Sequence, residues 1–307
     1  MTNAQDNTGK HARPIRARRS VLYVPANNAR AMEKAENLSC DAVIFDLEDA
    51  VGPDDKETAR QALSEWFAAS GNGRKEFVIR INALTSPWGQ DDLEAACACR
   101  PSAILLPKVN GAGDIEDVDT LLAERNTDAG LRLWAMMETP RGIADAIAIA
   151  DTGLESGSRL DCLVIGTNDL AKETGVALPD GRRFMTSWLM QIVLAARAAG
   201  LDALDGVYNN FRDMEGFRAE CTEARLMGFD GKTLIHPSQI EPANAAFGVS
   251  KQAIADAREI AEAFAMPENR GKGVIRINGR MVERLHLEQA EKLLKKAAMQ
   301  QGEGTGR

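Results

Sequence analysis

The sequence predicts an α/β protein, a closed barrel of eight strand–helix units, (β/α)8, followed by a C-terminal hairpin–helix extension. Three observations carry this. Eight short apolar runs, each followed by a stretch with apolar residues at helical spacing, alternate along the chain. The runs are bounded by Pro, Gly or charged residues, as expected of strands buried on both faces of a parallel sheet. Neither a Gly-rich dinucleotide fingerprint nor a phosphate-binding loop follows the first run, which argues against a doubly wound sheet. A TIM barrel of ~250 residues fits within the 307 residues with room for extensions.

The chain begins with a polar, basic stretch to Arg19 that lacks the apolar core of an export signal. Residues 1–17 are therefore expected to be a flexible tail, residues 18–247 the barrel and residues 248–307 the extension. The strand-like runs are Ser20–Pro25, Ala42–Asp49, Phe77–Asn82, Ala103–Val109, Leu131–Thr139, Cys162–Leu170, Leu204–Asn210 and Lys232–Pro237. Between them, segments such as Lys56–Ala69 and Thr186–Ala199 have helical periodicity. An amphipathic helix over Lys251–Ala265 opens the extension. Asn278-Gly279 then lies between two alternating runs, a hairpin signal because both turn residues tolerate positive φ. A last helix, Leu287–Met299, precedes a Gly-rich polar tail. This unit is too small to fold alone and is expected to dock on a barrel, its own or a neighbour's.

Composition narrows the function. The chain is 44% hydrophobic and 27% charged, and contains no apolar segment long enough to cross a bilayer. A net charge of −8 disfavours nucleic acid, so an anionic ligand must be held by local Arg and Lys. Cys40, Cys97, Cys99, Cys162 and Cys221 form no C-x-x-C pair, which predicts reduced thiols in a cytoplasmic protein, with Cys162 in the core.

Polar residues at the carboxyl ends of the runs are the candidates for chemistry. Glu138 and Asp169 each follow an apolar run; both could be ordinary caps, but two such carboxylates one strand apart suit a hard cation that takes one or two protein oxygens plus waters and substrate. Asp46, Glu48 and Asp49 crowd the end of the second run, with Asp46 and Glu48 on one side and Asp49 on the other. Glu48 and Asp49 are expected to face the site, as acceptors for the waters of a metal or as partners of Lys108. Arg80 interrupts a buried strand with a charge that needs a carboxylate, either a structural one or that of a substrate. Lys108 after Leu105-Leu106-Pro107 is read as electrostatic rather than as a Schiff-base lysine, because nearby acids keep it charged. His236 is taken as a structural hydrogen-bonder, and three histidines without helical spacing make a zinc site improbable.

Together these motifs resemble the citrate lyase β subunit and malyl-CoA lyase family: Arg18 to Pro25, FDLEDAV (45–51) with Lys56 and Arg60 downstream, VIRIN (78–82), LLPKV (105–109), METPRG (137–142), IGTNDL (165–170) and GFDGKTLIHPSQI (228–240). The resemblance runs from about Arg18 to Phe247, and the hairpin is similar to the family's C-terminal lid. It implies a Mg²⁺-dependent enzyme, with Mn²⁺ able to substitute, that makes or breaks a C–C bond beside a CoA thioester carbonyl. It further implies a homo-oligomer, a trimer or hexamer, with a CoA thioester and a small 2-oxo acid such as glyoxylate or pyruvate as its ligands. By matching motif, Glu138 and Asp169 become the Mg²⁺ ligands and Arg80 the residue that binds the small acid. Glu48 and Asp49 steady the metal's waters, and Arg19 and Lys108 contact the acid or the CoA.

The lid departs from the family pattern. Where malyl-CoA lyases carry Asp in G-x-M-[VI]-D as an acid/base reaching into a neighbouring subunit, this chain has Gly279-Arg280-Met281-Val282-Glu283. The extra methylene of Glu283 moves the carboxylate by about 1 Å, enough to cost ~10²-fold, and so brings thioester hydrolysis into consideration. Four readings stand. The first is a lyase on malyl-CoA, β-methylmalyl-CoA or citramalyl-CoA, and the second a thioesterase on the same substrates. The third is the catalytic subunit of a citrate lyase complex acting on a carrier-protein thioester, and the fourth a non-catalytic assembly partner.

Overall fold

Eight parallel strands close into a barrel in sequence order: β1 Ser20–Pro25, β2 Ala42–Asp46, β3 Glu76–Arg80, β4 Ala103–Leu106, β5 Arg132–Met137, β6 Leu160–Ile165, β7 Asp202–Asp205 and β8 Gly231–Leu234. The structure is a computed structural model that describes residues 16–69, 75–178 and 181–300. Residues 1–15, most of the expected tail, and the Gly-rich 301–307 lie outside the described residues. The ring is closed by β1 against β8, from Ser20 beside Lys232 to Leu22 beside Leu234. This is the expected (β/α)8 fold.

Alternation along each strand explains the continuous apolar runs. Ala42 and Ile44, Ala103 and Leu105, Trp134 and Met136, and Cys162 and Val164 fill the barrel interior together. The intervening Val43, Ile104, Ala135 and Leu163 are just as buried, on the opposite face that the helices cover. All five cysteines are free thiols, and Cys162 is buried in the barrel interior. Among the described residues, no helix is long and apolar enough to cross a membrane.

The two ends of the barrel are chemically different. At the amino end, buried Arg18 bonds Glu76 at 2.8 and 2.7 Å, Asp161, and Asp202 at 3.0 Å, and its guanidinium lies 4.7 Å from the ring centre of Trp134. Three carboxylates around one cation close this end with charge rather than hydrocarbon. At the carboxyl end, most strands stop short of the apolar-plus-polar runs that predicted them. After β2 the Asp46 carboxylate accepts the N–H of Glu48 at 2.9 Å and of Ala50 at 3.1 Å, so a side chain replaces the ladder and the chain turns away. After β6 it turns at Gly166 into a helix, Thr167–Thr174. Asp169, expected at a strand end, therefore lies in that helix's first turn, a boundary that an apolar run cannot mark.

Contacts divide the chain into two compact units, Arg18–Ala246 and the segment from Phe247 onward. In the second, Ser250 caps the helix Lys251–Ala265 by accepting the Ala253 N–H. β9 (Val274–Ile277) pairs antiparallel with β10 (Arg280–Glu283). The turn residues Asn278 and Gly279 have φ of 48° and 80°, the left-handed pair that the Asn-Gly sequence predicts. The hairpin has a small core of its own, in which Phe264, Ile275 and Val282 pack with Ile260 and Leu287. The final helix runs Arg284–Gln300, longer than expected because it starts directly from β10.

Candidate active site

Beyond the carboxyl ends of the strands lies a cavity of about 340 Å³, lined by Tyr23, Asp46, Arg80, Glu138, Asp169 and Ile235 among others. Arg80 is the last residue of β3 and is buried. Its Nε and Nη2 form a fork on Asp46 at 2.7 and 2.6 Å, while Nη1 lies 2.8 Å from Glu48 Oε2 and 3.5 Å from Asp49. Burial opposes its charge, but the Asp46 and Glu48 carboxylates outweigh that and hold the guanidinium protonated. The planar face expected to meet a substrate carboxylate is thus filled by Asp46, and only Nη1 lies outside that fork. The sequence reading does not single out Asp46 as the partner. The signal is nonetheless there, since adjacent strands end in FD and IR, and Asp46 and Arg80 are register neighbours.

Glu48 and Lys108 meet as expected: Lys108 Nζ donates to Glu48 Oε1 at 2.6 Å. Burial and neighbouring Asp49 raise the Glu48 carboxyl above its usual range, against the opposing pull of Arg80 and Lys108. Glu48 Oε2, close to Arg80 Nη1, has no donor hydrogen aimed at it. Lys108 loses some basicity to burial, but the hydrogen bond and charge of Glu48, with Glu138 and Asp169, raise it overall. It therefore stays charged, in keeping with an electrostatic role. Asp49 has 63% of its side-chain surface exposed and sits at the rim.

Glu138 follows β5 directly and is 1% exposed. The chain turns sharply after it, because Thr139 caps the next helix through Gly142 N–H at 2.9 Å and Pro140 occupies the first helical position. Lys108 holds a left-handed φ of 53°, uncommon for a side chain this large, and its N–H donates to Glu138 Oε1 at 2.8 Å. The other oxygen packs on Gly166, where a β-carbon would stand 2.4 Å from Glu138 Oε2. Only glycine lets the helix bearing Asp169 approach this carboxylate. Burial, then the charges of Glu48 and Asp169, push the Glu138 carboxyl up to about 8 despite the Lys108 N–H and Arg80.

One residue expected at the site falls elsewhere, and one that serves it is not evident from the sequence reading. Arg19 precedes β1 and forks on Asp41 at 2.8 and 2.7 Å, at the amino end of the barrel; its expected contact with acid or CoA is corrected to a structural pair. Glu283 ends β10 in the second unit, exposed, with its N–H donating to His286 Nδ1 at 3.0 Å. His236 is structural as expected: Nδ1 accepts the Ser238 N–H at 3.2 Å and the ring stacks on Phe211 at 4.6 Å. Lys56, noted only within a motif, is buried and donates to the carbonyls of Leu47 at 2.6 Å and Glu48 at 2.8 Å and to Asn82 Oδ1 at 2.9 Å. It fixes the loop that carries Glu48. Its position at the first residue of the helix Lys56–Ala69 is the available signal, since a cation there opposes the helix dipole and must serve something else.

The stretch of chain that contains these residues is similar to known proteins. The family model described as HpcH/HpaI aldolase/citrate lyase matches residues 19–237. A (3S)-malyl-CoA thioesterase of Cereibacter sphaeroides is 47% identical, with 91% of this chain and 94% of the relative covered. The citrate lyase subunit beta of Escherichia coli is 32% identical over 94% of this chain and 95% of its own. CitE from Mycobacterium tuberculosis, solved with magnesium, acetoacetate and coenzyme A, superposes with a TM-score of 0.69 at 30% identity, covering 91% of this chain and 97% of CitE. With matches running the length of the barrel and through each of its site-bearing loops, the chain belongs to the HpcH/HpaI aldolase/citrate lyase family.

Proposed function

We propose that this chain is a Mg²⁺-dependent enzyme of short 3-hydroxyacyl-CoA thioesters of the malyl-CoA type, and that thioester hydrolysis is its main reaction. The observation that carries this is the 47% identity with a (3S)-malyl-CoA thioesterase across 94% of that relative, against 32% with a citrate lyase β subunit. The lyase reading, first in order from the sequence, becomes the second: the CitE complex with magnesium, acetoacetate and coenzyme A supports it.

The donor set fits a hard divalent cation. Among the described residues no group of three or more His, Cys, Asp or Glu is arranged as a metal cage. Glu138 and Asp169 nonetheless line one cavity, and a pair of carboxylates is what Mg²⁺ takes when substrate and water supply its other oxygens. The raised proton affinity of Glu138 is the mark of a buried carboxylate crowded by others and in want of a cation. When bound, Mg²⁺ supplies a positive centre for the oxygens of the substrate and for the charge that develops on them.

The chain's own residues do the rest. Arg80, kept charged by Asp46, turns Nη1 to the acid end of the substrate, and Lys108 neutralises Glu48 so that its charge does not repel that end. Glu283, an exposed carboxylate on the hairpin, is assigned the proton transfer, in the site of a neighbouring subunit of a homo-oligomer. In hydrolysis it takes a proton from water as the water oxygen bonds to the thioester carbonyl carbon; the C–S bond then breaks and the CoA thiolate leaves and is protonated. In cleavage of the lyase type the proton would come from the substrate hydroxyl instead. Incubation with Mg²⁺ and (3S)-malyl-CoA, with free thiol and glyoxylate assayed separately, decides the matter. Thiol and malate without glyoxylate are expected; glyoxylate with acetyl-CoA would make the lyase reading correct, and neither product would reject both.

A further inference from the structure

Tyr23 is in none of the roles set out above, yet its environment is that of a ligand-binding group. It lies on β1 with its ring facing the barrel interior, lines the cavity, and lies 5.1 Å from the Arg80 guanidinium carbon by its ring centre. Its hydroxyl meets the Met136 thioether sulfur at 3.7 Å, and Arg80 Nη1 meets the same sulfur at 3.9 Å. A thioether is a weak acceptor. The Tyr23 hydroxyl thus faces a soft atom at the wall of a cavity, although oxygen is the partner a phenol ordinarily takes when buried, and Arg80 Nη1, which also lies 2.8 Å from Glu48 Oε2 and 3.5 Å from Asp49, reaches the same sulfur. A substrate oxygen entering beside Met136 would exchange the thioether contact for charge-assisted hydrogen bonds.

We infer that Tyr23 is a substrate-binding residue, whose hydroxyl acts with Arg80 Nη1 as a two-donor cradle for a carboxylate or carbonyl oxygen at the hydroxy-acid end of the acyl group. The assignment rests on the functional reading above and adds to it the group that holds the acid once Asp46 has taken the other two donor positions of Arg80. Burial and the surrounding carboxylates raise the phenol well above its usual value, so it remains a donor at all working pH values. Met136, itself at the cavity wall, keeps both donors on the same side of the cavity.

Tyr23→Phe isolates the hydroxyl, because the ring that stacks under Arg80 and packs on the barrel core is retained. With (3S)-malyl-CoA, KM should rise on the order of 10- to 100-fold, the loss expected for a hydrogen bond to a charged group. Mg²⁺ affinity measured by calorimetry without substrate should be unchanged, as should the melting temperature. KM and kcat within twofold of wild type would overturn the inference. So would a parallel loss of Mg²⁺ affinity, which would mean that the residue acts through the scaffold. Binding of (S)-malate in saturating Mg²⁺ separates this inference from the reading it rests on. If the wild type turns over no malyl-CoA but binds malate more tightly than Tyr23→Phe by the same factor, the reading fails and the Tyr23 assignment stands. If the wild type binds no malate, both fall.

Discussion

The proton on Glu138 gives a quantitative handle on the site. A cation bound by Glu138 must displace that proton, so its apparent dissociation constant scales as 1 + 10^(8 − pH), with 8 the value to which burial, Glu48 and Asp169 push the carboxyl. The factor is about 2 at pH 8 and about 100 at pH 6, a weakening of ~50-fold, or roughly 2.3 kcal/mol. The sign for stability is opposite in the cation-free protein. The folded value lies above the ordinary 4.5, so the folded state holds the extra proton between the two. Stability from this group is fully present below about pH 4.5 and is lost as pH rises towards 8. Mg²⁺ should therefore raise the melting temperature more at pH 8 than at pH 6. Calorimetric titration with Mg²⁺ at pH 6, 7 and 8, in buffers of different ionisation enthalpy to count the released proton, measures the slope. Glu138→Gln should both weaken binding and flatten the dependence. A dissociation constant that varies less than twofold from pH 6 to pH 8, or a Glu138→Gln variant with wild-type affinity and slope, would refute the assignment.

Three further outcomes follow from the geometry. Arg80→Lys and Asp46→Asn each break a buried charged fork and should lose ~3–5 kcal/mol of stability together with activity, read by urea unfolding and steady-state kinetics; full stability with lost activity would make the Asp46 contact incidental. Arg19→Ala should leave kcat and KM per folded molecule within twofold of wild type, since the residue faces Asp41 at the far end of the barrel; a raised KM would return it to the substrate. Glu283→Gln should keep the melting temperature and Mg²⁺ affinity yet lose ~10²-fold or more in turnover, the usual worth of a positioned acid/base, and a wild-type rate would remove Glu283 from the reaction.

What is legible in the sequence is whatever depends on period and on strand order. The alternation of buried runs specifies the barrel, and the Asn278-Gly279 pair specifies the hairpin turn, because only one turn type suits both positive φ values. Arg80, Lys108, Glu48, Glu138 and Asp169 stand out because a strand's carboxyl end is where a barrel gathers its polar groups. What escapes is partnership across strands. Arg80 advertises its need for a carboxylate but not that Asp46, its neighbour in register, meets it. Arg18 and Arg19 are adjacent in sequence, yet one closes the amino end of the barrel and the other pairs with Asp41. Their place before β1 is itself a sufficient sign that neither can reach the carboxyl end. The buried Asp205–Lys232 pair, at 2.6 Å with Glu220 beside it, likewise depends on which face of β7 and β8 the helices cover.

The charges around the cavity bear on the order in which its ligands arrive. Asp46, Glu48, Asp49, Glu138 and Asp169 contribute five negative charges when ionised, and Arg80 and Lys108 two positive ones, a balance of −3. Part of that is already taken up locally: Asp46 and Glu48 are committed to the two cations, and Glu138 sheds its charge by keeping a proton up to about pH 8. A substrate that is itself anionic meets this surplus before it meets Arg80 Nη1 or the Tyr23 hydroxyl. On the proposed assignment, a divalent cation held by Glu138 and Asp169 would move the balance to −1 and release the proton, so that the same carboxylates would serve as ligands rather than as a repulsive wall. Like charges crowded in a low-dielectric cleft are destabilising on their own, so the arrangement makes physical sense as one half of a site whose other half is a metal and an acid. On the proposed function, the cation would enter first and the hydroxy-acid end of the thioester would follow onto Arg80.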